Sequence, residues 1–346
     1  MRCIEYNDDY KDKWVDFTIK NDQATIYHDI LWKTILEKSF CLKSHYLICL
    51  DDSGEIAGIL PMFEMKDIFR RLYLVSIPFF TNAGLCATRK ETTDILLEKT
   101  KEIANDLKAQ YVELRHLAIQ SINGLKSRNV FTTSIVKLSR DENAVWKSSF
   151  SDSAQRNIRK AKRSNLSVAM GNDSLDGFYK VYSNNMRDLG TPPMPLIFLK
   201  NILAAFSDKA NILTVKKNNK IIAGMLLIKY KGTLYDPFVS SLKKYNPLRP
   251  NNLLYWEAIK FGCRNGFSYF DLGRSTAGTG LFDFKAQWGA YAEPLSYQYI
   301  FNKSSQIPIC DAVNNKYGLA IEIWKRMPVF ITNYIGPKLI PHLPEL

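Results

Sequence analysis

Asp271 stands in Phe270-Asp271-Leu272-Gly273-Arg274, whose apolar neighbours predict a strand buried on both faces. An ionised carboxylate there demands a partner, because an unpaired buried charge is costly. Arg274 and Lys285 are the nearest cations in sequence. Two roles are open to Asp271: anchor or proton acceptor for a substrate amine, or half of an ion pair that fixes the following loop. That loop, Gly273 to Gly280, is glycine-rich and would let backbone approach a phosphate or acyl group. Lys285 follows it, as a substrate contact or as the partner of an acid. Asp283 lies two residues before Lys285 and shares its side if the segment is extended. Glu113, in Val112-Glu113-Leu114-Arg115, is the corresponding acid earlier in the chain; without a comparable loop it reads as structural.

A second constellation is basic. Gln155-Arg156-Asn157-Ile158-Arg159-Lys160-Ala161-Lys162-Arg163 follows Ser151-Asp152-Ser153, the pattern of an N-capped helix. Arg156, Arg159, Lys160 and Arg163 recur at three- and four-residue spacing and share one face. Arginine suits bidentate phosphate contact, and a solvated charged face is the plain alternative. The 47 Lys and Arg against 34 Asp and Glu leave +13, which favours a polyanionic partner: a nucleotide diphosphate, tRNA or an anionic membrane surface. Tyr235 and Asp236, before Pro237-Phe238, are candidate substrate contacts, with core packing equally open to Tyr235. The tract around Pro192, Pro193 and Pro195 reads as a loop without chemistry of its own.

The elements that must position these residues are written twice. Residues 8 to 116 and 173 to 275 share one order: two helices, a hairpin, a third strand, a helix and a buried strand with one acid. The hairpins match in detail, with turns Asp51-Asp52-Ser53-Gly54 and Lys217-Asn218-Asn219-Lys220 between β-branched runs. The expected architecture is α/β, two tandem domains with mixed, mainly antiparallel sheets. The first spans 1–150. The second spans 151–314 and carries the basic linking helix 152–164. The tail 315–346 is expected to pack back on the first domain, with an interfacial helix against anionic lipid as the alternative. A length of 346 residues at 46% hydrophobic content suffices for two cores. No apolar stretch reaches about 18 residues and the start lacks a signal peptide's apolar core, so the expected location is cytoplasmic. Cys3, Cys41, Cys49, Cys86, Cys263 and Cys310 show no C-x-x-C spacing, and the four histidines lack ligand spacing; free thiols and no metal are expected.

The repeat resembles the GNAT acyltransferase unit, in which Tyr235 and Asp236 would face the cleft. Four segments of the second half also resemble the Fem-type (FemABX-like) aminoacyltransferases of peptidoglycan bridges. They are Arg156-Asn157-Ile158-Arg159-Lys160-Ala161, Leu254-Tyr255-Trp256-Glu257-Ala258-Ile259-Lys260, Tyr269-Phe270-Asp271-Leu272-Gly273 and Phe284-Lys285-Ala286-Gln287-Trp288-Gly289. Met186-Arg187-Asp188-Leu189-Gly190-Thr191-Pro192 is closer to Fem-related proteins of exopolysaccharide and exosortase (PEP-CTERM) systems. The similarity covers most of the chain and is strongest from about residue 150 to 300.

The resemblance implies amide formation, an activated acyl group passing to an amine on a cell-envelope precursor, with Lys285 on the oxyanion side. It implies no bound cofactor, and as donor either aminoacyl-tRNA or, as in the wider superfamily, acyl-CoA. Acyl-CoA enzymes usually carry a Gln/Arg-x-x-Gly-x-Gly/Ala loop whose bare N–H groups hold the pyrophosphate. Thr81-Asn82-Ala83-Gly84-Leu85-Cys86-Ala87 and Ser241-Leu242-Lys243-Lys244-Tyr245-Asn246-Pro247-Leu248-Arg249-Pro250 stand there instead, which argues against ordinary acetyl-CoA binding. The alternatives are an acyl-CoA-dependent enzyme for a nucleotide- or lipid-linked amino sugar, and a non-catalytic precursor-binding module.

Overall fold

The computed structural model describes residues 1–304, 306–307 and 318–343, so Cys310 and the first residues of the expected tail fall outside the described part. The chain divides into two compact units. One comprises Met1–Phe131, Pro294–Asp311 and Pro341–Leu346; the other comprises Thr132–Glu293 and Ala312–Ile340.

The first unit runs β1 (Arg2–Glu5), α1 (Lys11–Lys20), α2 (Leu31–Phe40), β2 (Ser44–Leu50), β3 (Ile56–Lys66), β4 (Leu72–Val75), β5 (Cys86–Ala87), α3 (Lys90–Asp106), β6 (Tyr111–Leu117) and β7 (Lys126–Arg128). β1 to β4 form an antiparallel ladder, and β4 pairs in parallel with β6. The turn at Asp51 is held by its own carboxylate, which accepts from the Ser53 and Glu55 amides at 2.9 and 3.0 Å. Leu47, Cys49, Leu60, Met62, Leu96 and Val112 fill the space between sheet and α3.

The second unit opens with β8 (Phe131–Lys137), α4 (Glu142–Ser148) and α5 (Asp152–Lys162), then repeats the order as β9 (Ser167–Met170), α6 (Leu175–Leu189), α7 (Leu196–Phe206), β10 (Ala210–Lys217), β11 (Lys220–Tyr230), β12 (Thr233–Ser241), α8 (Pro250–Arg264) and β13 (Tyr269–Thr276). Then follow α9 (Gly280–Ala286), β14 (Tyr291–Phe301), α10 (Gly318–Arg326) and α11 (Val329–Leu339); from Pro294 onward β14 belongs to the first unit, where it pairs antiparallel with β6. The strands of this unit lie in the order β8-β13-β12-β11-β10-β9. Asn218 and Asn219 sit at φ +48° and +61°, the left-handed pair that a two-residue hairpin turn requires. Gly224 lets α6 close on the sheet, since a Cβ there would come within 2.7 Å of the Phe178 ring.

Three boundaries differ from expectation. The second unit gives way to the first at Pro294, so most of β14 falls outside the expected 151–314. The second unit begins at Thr132 rather than 151, because Val136, Leu138, Val145 and Phe150 pack into the same core as Trp256 and Trp288. The tail helices lie on α6 of the second unit instead of on the first. Arg187 Nη1 donates to the Met327 carbonyl at 3.0 Å, and Gly190 and Gly336 leave room for Ile321 and Pro193. Past them, within the first unit, His342 Nδ1 donates to the Lys66 carbonyl at 2.9 Å. Among the described residues no helix is long and apolar enough to cross a membrane.

Candidate functional site

β12 and β13 run parallel and pair only from Thr233↔Tyr269 to Tyr235↔Asp271. Beyond that point β12 stays with β11 as far as Ser241, while β13 continues beside β8 to Thr276, so β12 and β13 part immediately after Asp271. The wedge that opens exposes backbone polar groups that a parallel ladder would otherwise satisfy. Asp236, the first residue of β12 beyond the last pair, and Asp271 are both buried at its narrow end.

Lys285 reaches this point from α9. Thr279 caps the helix, accepting from the Phe282 amide at 3.4 Å. Phe284 and Trp288 clamp its far end onto Tyr255 of α8, with ring centroids 5.4 and 5.6 Å apart, and Phe150 meets Trp288 edge-on at 5.3 Å. That packing turns Lys285 inward until only 3% of it is exposed. Its Nζ donates to the Gly273 and Arg274 carbonyls, each at 2.8 Å. An ammonium has three protons, so one is left for a reacting group.

Asp271 prepares those carbonyls. Its Oδ1 accepts from Thr133 Oγ1 and from the Gly273 amide at 2.8 Å, holding Gly273 at φ +71°, a conformation open to glycine. Asp236 is held differently. Among the described residues no hydrogen bond of good geometry reaches either of its buried oxygens, although the Tyr255 hydroxyl lies close enough to favour the charged form.

Burial dominates the electrostatics. It pushes the Asp236 carboxyl up to about 8; Lys285 and Tyr255 pull the other way and Asp271 adds to the rise. Burial lowers Lys285 to about 8, against the attraction of Asp236 and Asp271. Asp271 is also raised by burial, opposed by the Thr133 and Gly273 hydrogen bonds. Glu293 rises for the same reason, with Asp271 a second cause. An acid and a base that both titrate near neutrality in one buried wedge are what proton transfer needs.

The structure thus gathers Asp236, Asp271 and Lys285, with the half-buried Arg274 close enough to lower the lysine further. Tyr235 is buried beside them. Asp283 is not among them. The segment is a helix rather than extended chain, and two helical residues lie about 200° apart, so Asp283 faces solvent. The expected loop from Gly273 is also shorter, since β13 carries on to Thr276. Tyr255 and Thr133 were missed. Tyr255 lies in one of the Fem-like motifs and its polar tip was a signal; nothing near Thr133 gave one.

The basic run forms α5, capped by Ser151 Oγ, which accepts from the Ala154 amide at 3.2 Å. Ala154, Ile158 and Ala161 are buried, while Arg156, Arg159, Lys160 and the C-cap Arg163 are exposed together. Arg159 lies 5.8 Å over the Trp146 ring.

In the first unit the same station is closed. Glu113 stands opposite Val75 at the last β4–β6 pair, but its Oε1 accepts from Arg115 Nε at 2.8 Å and its Oε2 from the Tyr299 hydroxyl at 3.1 Å. The chain between β4 and β5 is tied down there: Phe80 O accepts from Arg115 Nη1 at 2.7 Å and the Leu85 amide donates to His116 Nε2 at 2.9 Å. Burial, aided by the charge of His28, lowers His116 to about 3 and keeps it a neutral acceptor.

Comparison with known proteins bears on the fold. Residues 148–286 match the acetyltransferase (GNAT) domain family. The fold is similar to the crystal structure of FemX, with a TM-score of 0.66 at 14% identity over 88% of this chain and 98% of that one. It is similar to the C-terminal domain of a putative lysylphosphatidylglycerol synthetase from Agrobacterium fabrum, with a TM-score of 0.56 at 14% identity over 85% and 92% of the two chains. A tandem GNAT protein from the clavulanic acid biosynthesis pathway gives 0.55 at 7% identity over 87% and 98%. No curated protein matches the sequence. The fold is therefore tandem GNAT, and residues 148–286, which match the acetyltransferase domain, mark the chain as an enzyme, an acyltransferase of the GNAT type.

Proposed function

We propose that the second unit catalyses Fem-type N-acyl transfer, moving an activated aminoacyl group from aminoacyl-tRNA to an amine on a peptidoglycan or exopolysaccharide precursor. The observation that carries this reading is the buried, mutually shifted pair of Asp236 and Lys285 at the point where β12 and β13 part. The amine nitrogen attacks the ester carbonyl carbon. As the C–N bond forms, Asp236 in its ionised form takes the ammonium proton, and the free proton of Lys285 faces the oxyanion. Collapse breaks the C–O bond, and the leaving 3′-oxygen takes back the proton that Asp236 had accepted, which restores the carboxylate. An ester is already activated, so positioning supplies much of the acceleration.

The connection from β12 to α8 favours tRNA over acyl-CoA. It contains no glycine; Pro247 and Pro250 have no N–H; and the Tyr245 and Arg249 amides are used by the Leu242 and Asn246 carbonyls at 2.9 Å each. A backbone cradle for a pyrophosphate has few donors left there. The Fem-like motifs support an envelope acceptor, and the exposed face of α5 supports a phosphorylated one. The test is a mass-spectrometric transfer assay with envelope precursors and either mixed aminoacyl-tRNA or mixed acyl-CoA. An aminoacyl mass gained only with tRNA supports the proposal; an acyl mass gained only with CoA replaces the donor. Precursor binding without product from either donor overturns it.

A further inference from the structure

A donor carried on a phosphate-rich handle needs cations where backbone amides are spent. One cleft of the second unit supplies them. It measures about 770 Å³ and lies between α6, the β10–β11 turn and the end of β12. Lys180 of α6, Lys220 at the turn, and Lys243 and Lys244 just beyond β12 line it. Its acid, Asp188, is occupied by Arg187 Nε at 2.7 Å. The four lysines are exposed and make no ion pair among the described residues, and Lys244 lies 5.0 Å over the ring of Tyr245. The left-handed Asn218-Asn219 turn sets Lys220 at the rim. Four like charges around one hollow repel each other unless an anion sits between them. Lysines, as mobile point charges, suit phosphate oxygens presented at varied angles.

We propose that this cleft is a phosphate-binding site, in which Lys180, Lys220, Lys243 and Lys244 hold the phosphodiester or pyrophosphate end of the acyl donor. The assignment of the phosphate to the donor rests on the transfer reading above; the cleft's chemistry does not. From Asp236 to Leu242 is six strand residues, roughly 20 Å at about 3.3 Å per residue. A donor whose acyl carbon lies at Asp236 and Lys285 would therefore carry its phosphates a linker's length away.

Inorganic tripolyphosphate is the first probe, titrated calorimetrically into the full chain at several salt concentrations. Lys243→Ala with Lys244→Ala, and separately Lys180→Ala with Lys220→Ala, should each weaken binding tenfold or more, with folding checked by circular dichroism. A fluorescent 12-nucleotide single-stranded RNA and free CoA then compete for the site, and whichever displaces tripolyphosphate through the same lysines identifies the source. With the RNA, each double variant should flatten the salt slope by about 1.4, at about 0.7 per phosphate contact. Lys285→Ala and Asp236→Asn should each lower transfer by about 10²-fold or more yet leave tripolyphosphate affinity unchanged. Absence of transfer with lysine-dependent binding intact would sink the catalytic reading alone. Wild-type tripolyphosphate affinity in both lysine variants, or loss only in Arg156→Ala with Arg159→Ala, would overturn the cleft.

Discussion

Glu113 and Asp271 occupy the same station in the two units, the last paired residue before two parallel strands separate, yet Glu113 is met by Arg115 and Asp271 by neutral donors. Removing one partner of a buried ion pair costs about 3–5 kcal/mol because the other charge is stranded. Glu113→Ala should therefore lower stability by that amount in urea titration while transfer per folded molecule stays unchanged. Asp271→Asn keeps an acceptor for Thr133 and Gly273 and should retain the fold, whereas Asp271→Ala releases the two carbonyls that hold Lys285. A kcat loss of about 10²-fold in the alanine variant and within tenfold in the asparagine variant would mark Asp271 as a positioning residue, with the magnitude that of a lost oxyanion donor.

Activity requires Asp236 ionised and Lys285 protonated. Asp236 gains the needed form as pH rises through about 8, and Lys285 loses it through about 8. The pH profile of kcat/KM should thus be a narrow bell centred near pH 8. Lys285→Arg, which stays charged, should remove the basic limb even if kcat falls. Asp236→Asn should cost about 10²–10⁴-fold, the worth of a general base. A flat profile between pH 6 and 10 would exclude both roles.

The same shift makes Asp236 a stability liability. Its folded pKa lies above its unfolded value of 3.8, so the folded state holds a proton that the unfolded state releases. Stability falls as pH rises from about 4 through about 8. Asp236→Asn removes that cost, and its melting temperature should exceed the wild type's at pH 8 by more than at pH 5. Equal melting temperatures at both values would mean that Asp236 is solvated.

How much of this was readable from residues alone follows from which forces act locally. The repeat, both hairpin turns and the capped basic helix were legible because glycine, asparagine and serine report their own backbone geometry. The burial of Asp271 was legible from its apolar neighbours. Helix α9 was not: seven residues with three glycines nearby carry little periodicity, and its helicity comes from Phe284 and Trp288 packing on Tyr255, which lies in another element. The error in Asp283 followed directly. The role of Asp236 was half seen, because its place beyond the last β12–β13 pair depends on where the strands part, and the sequence of β12 does not show where its pairing ends.

The exposed face of α5 makes a separate, salt-dependent prediction. Arg156→Glu with Lys160→Glu leaves Ala154, Ile158 and Ala161 buried as before, so the fold should persist. Affinity for a phosphorylated acceptor should fall at least tenfold at low salt and converge on the wild type at high salt, where such charges are screened. KM for the acceptor should rise while kcat holds. Wild-type KM at low salt would reduce α5 to a solvated linker.

Trp288 connects packing to chemistry. It is fully buried and holds the end of α9 against Tyr255 and Phe150. Trp288→Ala should cost about 3–5 kcal/mol, the usual range for deleting a buried aromatic side chain. The cavity also admits water next to Lys285. Burial is the largest cause of that lysine's depressed pKa, so hydration should return it toward 10.5. The basic limb of the pH profile should then move upward, and the lysine's reactivity toward an amine-labelling reagent at pH 8 should drop. Trp288→Phe, which keeps a ring against Tyr255, should leave the limb nearly in place. An unmoved limb in the alanine variant would show that the shift at Lys285 arises from burial by other groups and from Arg274 instead of from the aromatic clamp.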